Sequence, residues 1–231
     1  MIKSIKAKIK LASYNVSRFI TNSRTRRHII NKFADKMGLI YFGAIDQTDE
    51  LDLVRGFTLS QSHQDNHYSV GTINDRAVRL VDRSDAVWGD DGRVLVHNWF
   101  IMAFELKTKQ DLPHFFIQAH NQNPKPYETF FRAYPTITKV HVGTFEDYSP
   151  EFTSRFELYA RPNMAIKTEK LIPANEARVL SAHFWPYSAE QNEHVLYVYS
   201  CDQNISLSML ETMMENGLWL ANHIDRQAEL I

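Results

Sequence analysis

Apolar residues near the start of the chain recur every three or four positions, which is the spacing of one face of an α-helix. In residues 2–20 they fall within a single arc, and lysines flank that arc on both sides. This pattern predicts a basic amphipathic helical arm over residues 1–22. Its membrane- or partner-binding residues are predicted to be Ile2, Lys3, Ile5, Lys6, Lys8, Ile9, Lys10, Val16 and Phe19.

A second helix is predicted over residues 26–37, because Ile30, Phe33 and Met37 share one face and Gly38 supplies a helix stop. After residue 39 the apolar spacing changes to two, the period of a β-strand. Candidate strands are 39–46, 53–60, 66–73, 76–83, 93–106, 114–119, 136–145, 154–161 and 194–200, and a short helix is expected over 174–183.

The connections between most of these strands are short, which favours antiparallel pairing. The clearest hairpin turns at residues 74–75, an Asn-Asp pair that tolerates the left-handed backbone of a tight turn. A C-terminal helix is predicted to begin near Ser206 or Ser208, where Ser208 and Glu211 fit a capping box. The predicted fold is therefore α+β: an antiparallel sheet of at least six strands with the N-terminal helical arm, a second helix and a C-terminal helix packed on it. Residues 23–231 are expected to form a single domain.

The formal net charge of −1 conceals a strong asymmetry. The first 34 residues hold nine Lys and Arg residues and no Asp or Glu, whereas the remainder holds 17 basic against 27 acidic residues. A basic arm on an acidic body suggests an anionic partner. We expect an anionic lipid surface or a partner protein, with nucleic acid as a further alternative. The alternative without a partner is that the arm packs on the domain's own sheet, with its lysines in solvent.

Composition narrows the class of protein. Apolar residues make up 44% of the chain, aromatic residues 12%, and Gly and Pro number only eight each, which excludes disordered and collagen-like chains. No apolar run approaches the roughly 18 residues that span a bilayer. A single cysteine, Cys201, excludes an internal disulfide and a cysteine-based zinc site. We therefore expect a reducing, cytoplasmic location, with association at the inner membrane surface.

Residues able to carry chemistry are few. The eight glycines contain no G-x-G spacing, the motifs G-x-S-x-G and H-E-x-x-H do not occur, and no cofactor is predicted. His63 and His67 lie four residues apart with Asp65 between them, and we interpret them as a solvated loop entering a strand rather than as metal ligands. His97 and His114 are interpreted as core histidines. The chain is thus predicted to be a non-enzymatic binding domain, and the alternative is a hydrolase-like enzyme using His63, His67 and neighbouring aspartates.

Five segments together resemble a family of uncharacterised bacterial proteins of unknown function. They are RRHIINKFADKMGLIYFG, HYSVGTINDRAVRLVD, LPHFFIQA, RFELYARPNMAIKTEKLIPANEARVL and HVLYVYS. The resemblance covers about residues 26–200 and implies an α+β domain without assigned chemistry. Members of that family often carry hydrophobic membrane helices near the N-terminus, where this chain has its basic amphipathic segment. This departure from the family pattern argues against direct membrane insertion and leaves association with a membrane surface as an open alternative.

Overall fold

The structure, a computed structural model, describes residues 24–44, 54, 63–88, 94–120, 131, 135–201 and 205–231. The helices are α1 (24–37), α2 (Pro150–Arg155), α3 (Ala165–Leu171), α4 (Ala174–Val179) and α5 (Leu207–Ala228), with a 3-10 turn at Pro162–Met164 and a π-helical turn at Leu180–Phe184. The strands are β1 (Ile40–Gly43), β2 (Gln64–Ile73), β3 (Arg76–Trp88), β4 (Val94–Glu105), β5 (Phe115–Ala119), β6 (Thr138–Lys139), β7 (Phe156–Ala160), β8 (Ser188–Asn192) and β9 (Val195–Ser200).

The described strands form one nine-stranded antiparallel sheet in the order β1-β2-β3-β4-β9-β8-β5-β7-β6. This confirms the predicted α+β class, the antiparallel pairing, the helix that leads into the sheet and the C-terminal helix. The predicted hairpin is also confirmed, because Ile73 pairs with Arg76 and both residues between them, Asn74 and Asp75, have positive φ. Strand β4 lies inside the order, as its two apolar faces indicate.

The described residues divide into two compact units, of which the first contains residues from 24 to 101 together with 201–211. In this unit α1 buries Ile30, Phe33 and Ala34 completely, and β3 buries Val78 and Leu80. The helix ends where the sequence predicts, at Gly38, whose φ is +69°. The amides of Gly38 and Leu39 bond back to the carbonyls of residues 35 and 34, a Schellman-type end that turns the chain directly into β1.

The second unit contains residues 102–200 and 212–231. Here β5 pairs with β7 on one side and β8 on the other, so that Phe116 lies opposite both Tyr159 and Glu190. One face of these strands carries apolar side chains such as Ile117 and Leu158, both buried. The opposite face carries polar and aromatic side chains.

The division of the chain into an arm and a single domain stays a prediction.

Several predicted boundaries are wrong. The predicted strand 136–145 shrinks to β6, because the chain leaves the sheet after Lys139 and reaches a positive φ at Gly143. The predicted strand 154–161 begins only at Phe156, because Ser149 caps the short helix α2 by accepting a bond from the Phe152 amide. The C-terminal helix begins after Ser206, one of the two predicted starts, and Ser206 rather than Ser208 caps it by accepting from the Met209 amide at 3.1 Å.

Strand β8 is not among the predicted strands. Its sequence, SAEQN, has no run of apolar residues, yet four of its five side chains are buried. The predicted arm and the predicted strand 53–60 lie outside the described residues, apart from Val54, which is buried.

Candidate functional site

The described part of the basic N-terminal region is α1, and its solvent-facing side is strongly basic. The helical period turns Ile30, Phe33 and Ala34 inward and leaves the charged positions outside. The exposed basic side chains are Arg24, Arg27, His28, Lys32 and Lys36, and the exposed acidic residue of this helix is Asp35. Lys36 Nζ lies 2.7 Å from Glu211 Oε1 in an exposed ion pair.

Strand β1 follows this helix after two residues and exposes two large apolar side chains. Ile40 is 63% exposed and Phe42 is 57% exposed, and Phe42 lies at an irregularity in the pairing of β1 with β2. Among the described strands, β1 lies at one end of the sheet order. Adjacent exposed apolar side chains of this size are typical of interaction sites.

The neighbours of these two side chains on β2 and β3 follow from the strand register. Ile40 lies opposite Val70, and Val70 lies opposite Arg79. The ring of Phe42 lies 6.0 Å from that of Tyr68, centroid to centroid, and Arg79 hydrogen-bonds the Tyr68 hydroxyl. We call this set of five residues the β1 edge patch. Its single charged group is the guanidinium of Arg79.

On the other side of β1, His67 lies among charged groups. It lies within the predicted strand 66–73, at an irregularity of β2 where its φ is +55°, and it is half-buried rather than solvated. The Tyr41 hydroxyl lies 2.7 Å from His67 Nδ1. Burial lowers the pKa of His67, although the charge of Asp82 opposes this effect. The carboxylate of Asp82 accepts hydrogen bonds from both Nε and Nη2 of Arg26 in α1.

The aspartates near His67 are both engaged by arginines. Arg83 donates to the two oxygens of Asp65 at 2.6 and 2.7 Å, and both side chains are completely buried. Arg83 also donates to the Val54 carbonyl at 2.7 Å. Asp82 and Arg83 are consecutive residues of β3 and therefore point to opposite faces of the sheet. The two aspartates consequently do not converge on His67, and each acts as a structural ion-pair partner.

The sequence reasoning missed a second polar cluster, which lies in the second unit. Glu190 is completely buried on β8, its Oε1 lies 2.7 Å from His114 Nε2, and its Oε2 accepts from Tyr199 at 2.6 Å. His114, interpreted from the sequence as a core histidine, is largely buried and is paired with Glu190. A glutamate flanked by Gln and Ser in a segment without apolar periodicity gives no sign of burial, because its partners lie 76 and nine residues away in sequence.

A third cluster surrounds Glu157 at the β6 side of the same unit. Lys139 Nζ lies 2.6 Å from Glu157 Oε1, His120 Nε2 lies 3.5 Å from the same oxygen, and the Tyr159 hydroxyl donates to the other oxygen. Burial and the neighbouring Glu157 raise the pKa of Tyr159. Each of these donors satisfies the carboxylate, and the ring of Phe131 stacks on Tyr159 at 4.1 Å.

The predicted binding residues between Ile2 and Phe19 lie outside the described residues. Within the described part of the chain, no group of three or more His, Cys, Asp and Glu side chains is arranged to hold a metal ion. No helix within the described ranges is both long enough and apolar enough to cross a membrane.

These features define an α+β protein with one long antiparallel sheet, a basic helix at its start and paired polar clusters on its strands. No protein-family model and no curated protein matches the chain. Among solved structures the chain is similar to the mycobacterial trehalose monomycolate transport factor A, TtfA, with a TM-score of 0.56 and 9% sequence identity. The match covers 87% of this chain and 93% of that one, and at this identity it shows a shared fold.

Proposed function

We propose that this chain is a non-enzymatic binding domain that associates with an anionic membrane surface through its N-terminal arm. The observation that carries this proposal is the exposed face of α1, which presents Arg24, Arg27, Lys32 and His28 to solvent, while Lys36 is paired with Glu211. Arg24, Arg27 and Lys32 belong to the acid-free basic segment of residues 1–34. A basic amphipathic segment binds an anionic bilayer by burying its apolar arc and attracting headgroups.

TtfA, with which the chain shares its fold, is named as a factor in trehalose monomycolate transport. In this proposal the chain acts in the cytoplasm, at the inner face of the membrane, and residues 23–231 form the folded domain that the arm holds there. The hydrolase-like alternative has less support, because Asp65 and Asp82 are each bound by an arginine.

The test is binding of the full chain to vesicles of phosphatidylcholine containing phosphatidylglycerol, measured by co-sedimentation. We expect binding that weakens as salt rises, because headgroup attraction acts within a Debye length of about 8 Å at physiological ionic strength. Vesicles of phosphatidylcholine alone should bind far less. The variant Ile5→Asp with Ile9→Asp should lose binding through lost apolar burial, although every lysine remains.

A matched pair of charge variants distinguishes binding through the arm from binding through lysines elsewhere on the surface. Each lysine near an anionic surface contributes about 1 kcal/mol, so Lys3→Gln with Lys6→Gln should lower the partition by roughly 25-fold at low salt. Lys107→Gln with Lys109→Gln removes the same charge from another exposed segment and should change binding little. Equal effects of the two pairs, or no vesicle binding by the full chain, would contradict the proposal, and in the second case nucleic acid should be tested.

A further inference from the structure

We propose that Arg27 and His67 form a binding site for a phosphate monoester where α1 meets the first two strands, with Tyr41 as the residue that positions the imidazole. The ligand is a soluble phosphate ester or a lipid headgroup that exposes the same group. This site goes beyond the proposed function, because it lies in the folded part of the chain and does not use the apolar arc of the arm.

The first support is the strand register, which brings Tyr41 to the face of the sheet that α1 covers. Tyr41 lies opposite Ser69, and Ser69 lies opposite the buried Leu80. Asp82, two residues from Leu80 on β3, is bound by Arg26 of α1. Residues two apart in a strand share a face, so Tyr41 and the Asp82 ion pair lie on the same side of the sheet.

The second support is a pair of strand irregularities at this place. Strand β2 has one residue more than β3 between Asn66 and Ser69, and β1 is irregular directly after Tyr41. His67 lies in the first irregularity with a φ of +55°, which few residues other than glycine adopt. Bulges of this kind redirect side chains and are frequent next to functional sites. Here the imidazole of His67 stacks beside the Tyr41 ring, and the Tyr41 hydroxyl lies 2.7 Å from Nδ1.

The third support is that the two proposed donors are uncommitted. Among the described residues, neither the exposed guanidinium of Arg27 nor the Nε2 atom of His67 has a hydrogen-bond partner. Burial lowers the pKa of His67, so the ring is neutral at pH 7 and carries one proton. When the Tyr41 hydroxyl donates to Nδ1, that proton is on Nε2, which then donates to an anion.

The fourth support is the balance of charge. Three charged groups act on the imidazole of His67: Arg26, Arg27 and Asp82. Arg26 binds Asp82 through two nitrogens, so these two charges compensate each other and the charge of Arg27 remains. The charge of Arg27 also acts on the Tyr41 hydroxyl. A guanidinium beside an N–H donor suits the oxygens of a phosphate monoester.

The first experiment titrates the full chain with inorganic phosphate at pH 7.5 and follows the imidazole ¹⁵N signals by NMR. The Nε2 signal of His67 should move to a saturating value, and Arg27→Gln should weaken binding about tenfold or more, because a charge-assisted hydrogen bond is lost. Arg27→Lys, which keeps the charge without the planar fork, should lie between. His67→Asn identifies the signal and should also weaken binding, and asparagine tolerates the positive φ.

The matched control is Lys32→Gln, which removes the same charge from an exposed position of the same helix. It should change the affinity for phosphate less than about twofold, because exposed charges at a distance are screened. The thermal midpoints of Arg27→Gln and Lys32→Gln should match that of the parent chain, since both side chains are exposed.

Tyr41→Phe tests the positioning role. The ring ¹⁵N shifts should show the proton on Nε2 in the parent chain and a mixture of tautomers in the variant, with weaker phosphate binding. A tautomer and an affinity that both stay unchanged would contradict this role of Tyr41.

Vesicles distinguish the two sources of the phosphate group. Phosphatidic acid exposes a phosphate monoester, whereas phosphatidylglycerol contains a diester. If the source is a headgroup, phosphatidic acid vesicles should bind more tightly than phosphatidylglycerol vesicles of matched surface charge, and Arg27→Gln should remove this preference while Lys32→Gln keeps it. If the source is soluble, inorganic phosphate should bind with the same affinity and neither vesicle should be preferred.

Failure of this site can be told from failure of the proposed function. Ile5→Asp with Ile9→Asp should lose vesicle binding and keep the affinity for inorganic phosphate, because these residues belong to the arm. If phosphate does not move the His67 signal, or if Arg27→Gln and Lys32→Gln weaken binding equally, the phosphate site is wrong whatever the vesicles show.

Discussion

Arg83 and Asp65 show how much the fold depends on single polar residues. Both side chains are fully buried, and three hydrogen bonds from Arg83 satisfy Asp65 and the Val54 carbonyl. Removing one partner of such a pair leaves the other charge buried alone. We expect Asp65→Ala to lower the free energy of unfolding by about 3–5 kcal/mol, measured by urea denaturation.

The control for this prediction is Lys139→Ala, which removes one partner of the exposed pair with Glu157 and should cost less than about 1 kcal/mol. Combining Asp65→Leu with Arg83→Met should recover a large part of the lost stability, because a buried ion pair can be replaced by apolar groups of similar volume. Equal losses for the buried and the exposed pair would show that burial does not control the effect.

His223 is a single residue that should make the free energy of unfolding depend on pH. It is almost completely buried, its Nε2 donates to the Leu171 carbonyl at 2.9 Å, and its Nδ1 lies 3.2 Å from Glu176 Oε1. Burial lowers the pKa of His223 below 6.5, while the charge of Glu176 raises it in part. Burial also lowers the pKa values of His67 and His97.

A histidine whose pKa is lowered by folding binds its proton more readily in the unfolded chain. The stability that it contributes is therefore present above the ordinary histidine pKa of 6.5 and is lost as the pH falls below that value. We expect the free energy of unfolding to decrease between about pH 7 and about pH 5.5. His223→Gln should reduce the slope, and a free energy that rises over this interval would contradict the assignment.

At the scale of elements, Gly217 of α5 fits against β4 because it has no side chain. A Cβ at this position would overlap the Cε2 and Cζ atoms of Phe104, whose ring is completely buried. Helix propensity alone favours Gly→Ala by about 1 kcal/mol. We expect the overlap to outweigh this gain, so that Gly217→Ala lowers the free energy of unfolding by about 1–3 kcal/mol.

The matched control is Glu215→Ala, an exposed position of the same helix that should leave stability within about 0.5 kcal/mol of the parent. Phe104→Leu should itself destabilise the chain but should make the additional cost of Gly217→Ala smaller, and a double-mutant cycle measures this coupling. Additive effects would show that the ring and the glycine do not meet.

The elements also show what a sequence can and cannot predict. The helix predicted over 26–37 and observed over 24–37, its end at Gly38 and the turn at residues 74–75 depend on local periodicity and turn chemistry, and these predictions are confirmed. Strand β8 depends on partners distant in sequence, because Glu190 is buried against His114 and Tyr199. No local pattern contains that information.

The candidate site, too, could be predicted only where it depends on local sequence. The basic character of α1 is visible in the sequence, whereas the exposure of Ile40 and Phe42 is not, since apolar residues in a predicted strand are expected to face a core. Their exposure depends on what packs against that face of β1, which local spacing does not determine.

At the scale of the whole molecule, the remaining question is whether the two compact units unfold together. Both β4 and α5 contribute residues to each unit, because the division falls after residue 101 and after residue 211. Residues of one strand or one helix lose their hydrogen bonds cooperatively. We therefore predict a single unfolding transition for residues 23–231, in agreement with the single domain that the sequence predicts.

Native-state hydrogen exchange tests this prediction with two variants, Asp65→Ala in the first unit and Gly217→Ala in the second. Each variant should lower the protection of the slowest-exchanging amides by the same amount in both units. Lowered protection confined to the unit that carries the substitution would instead establish two independent domains.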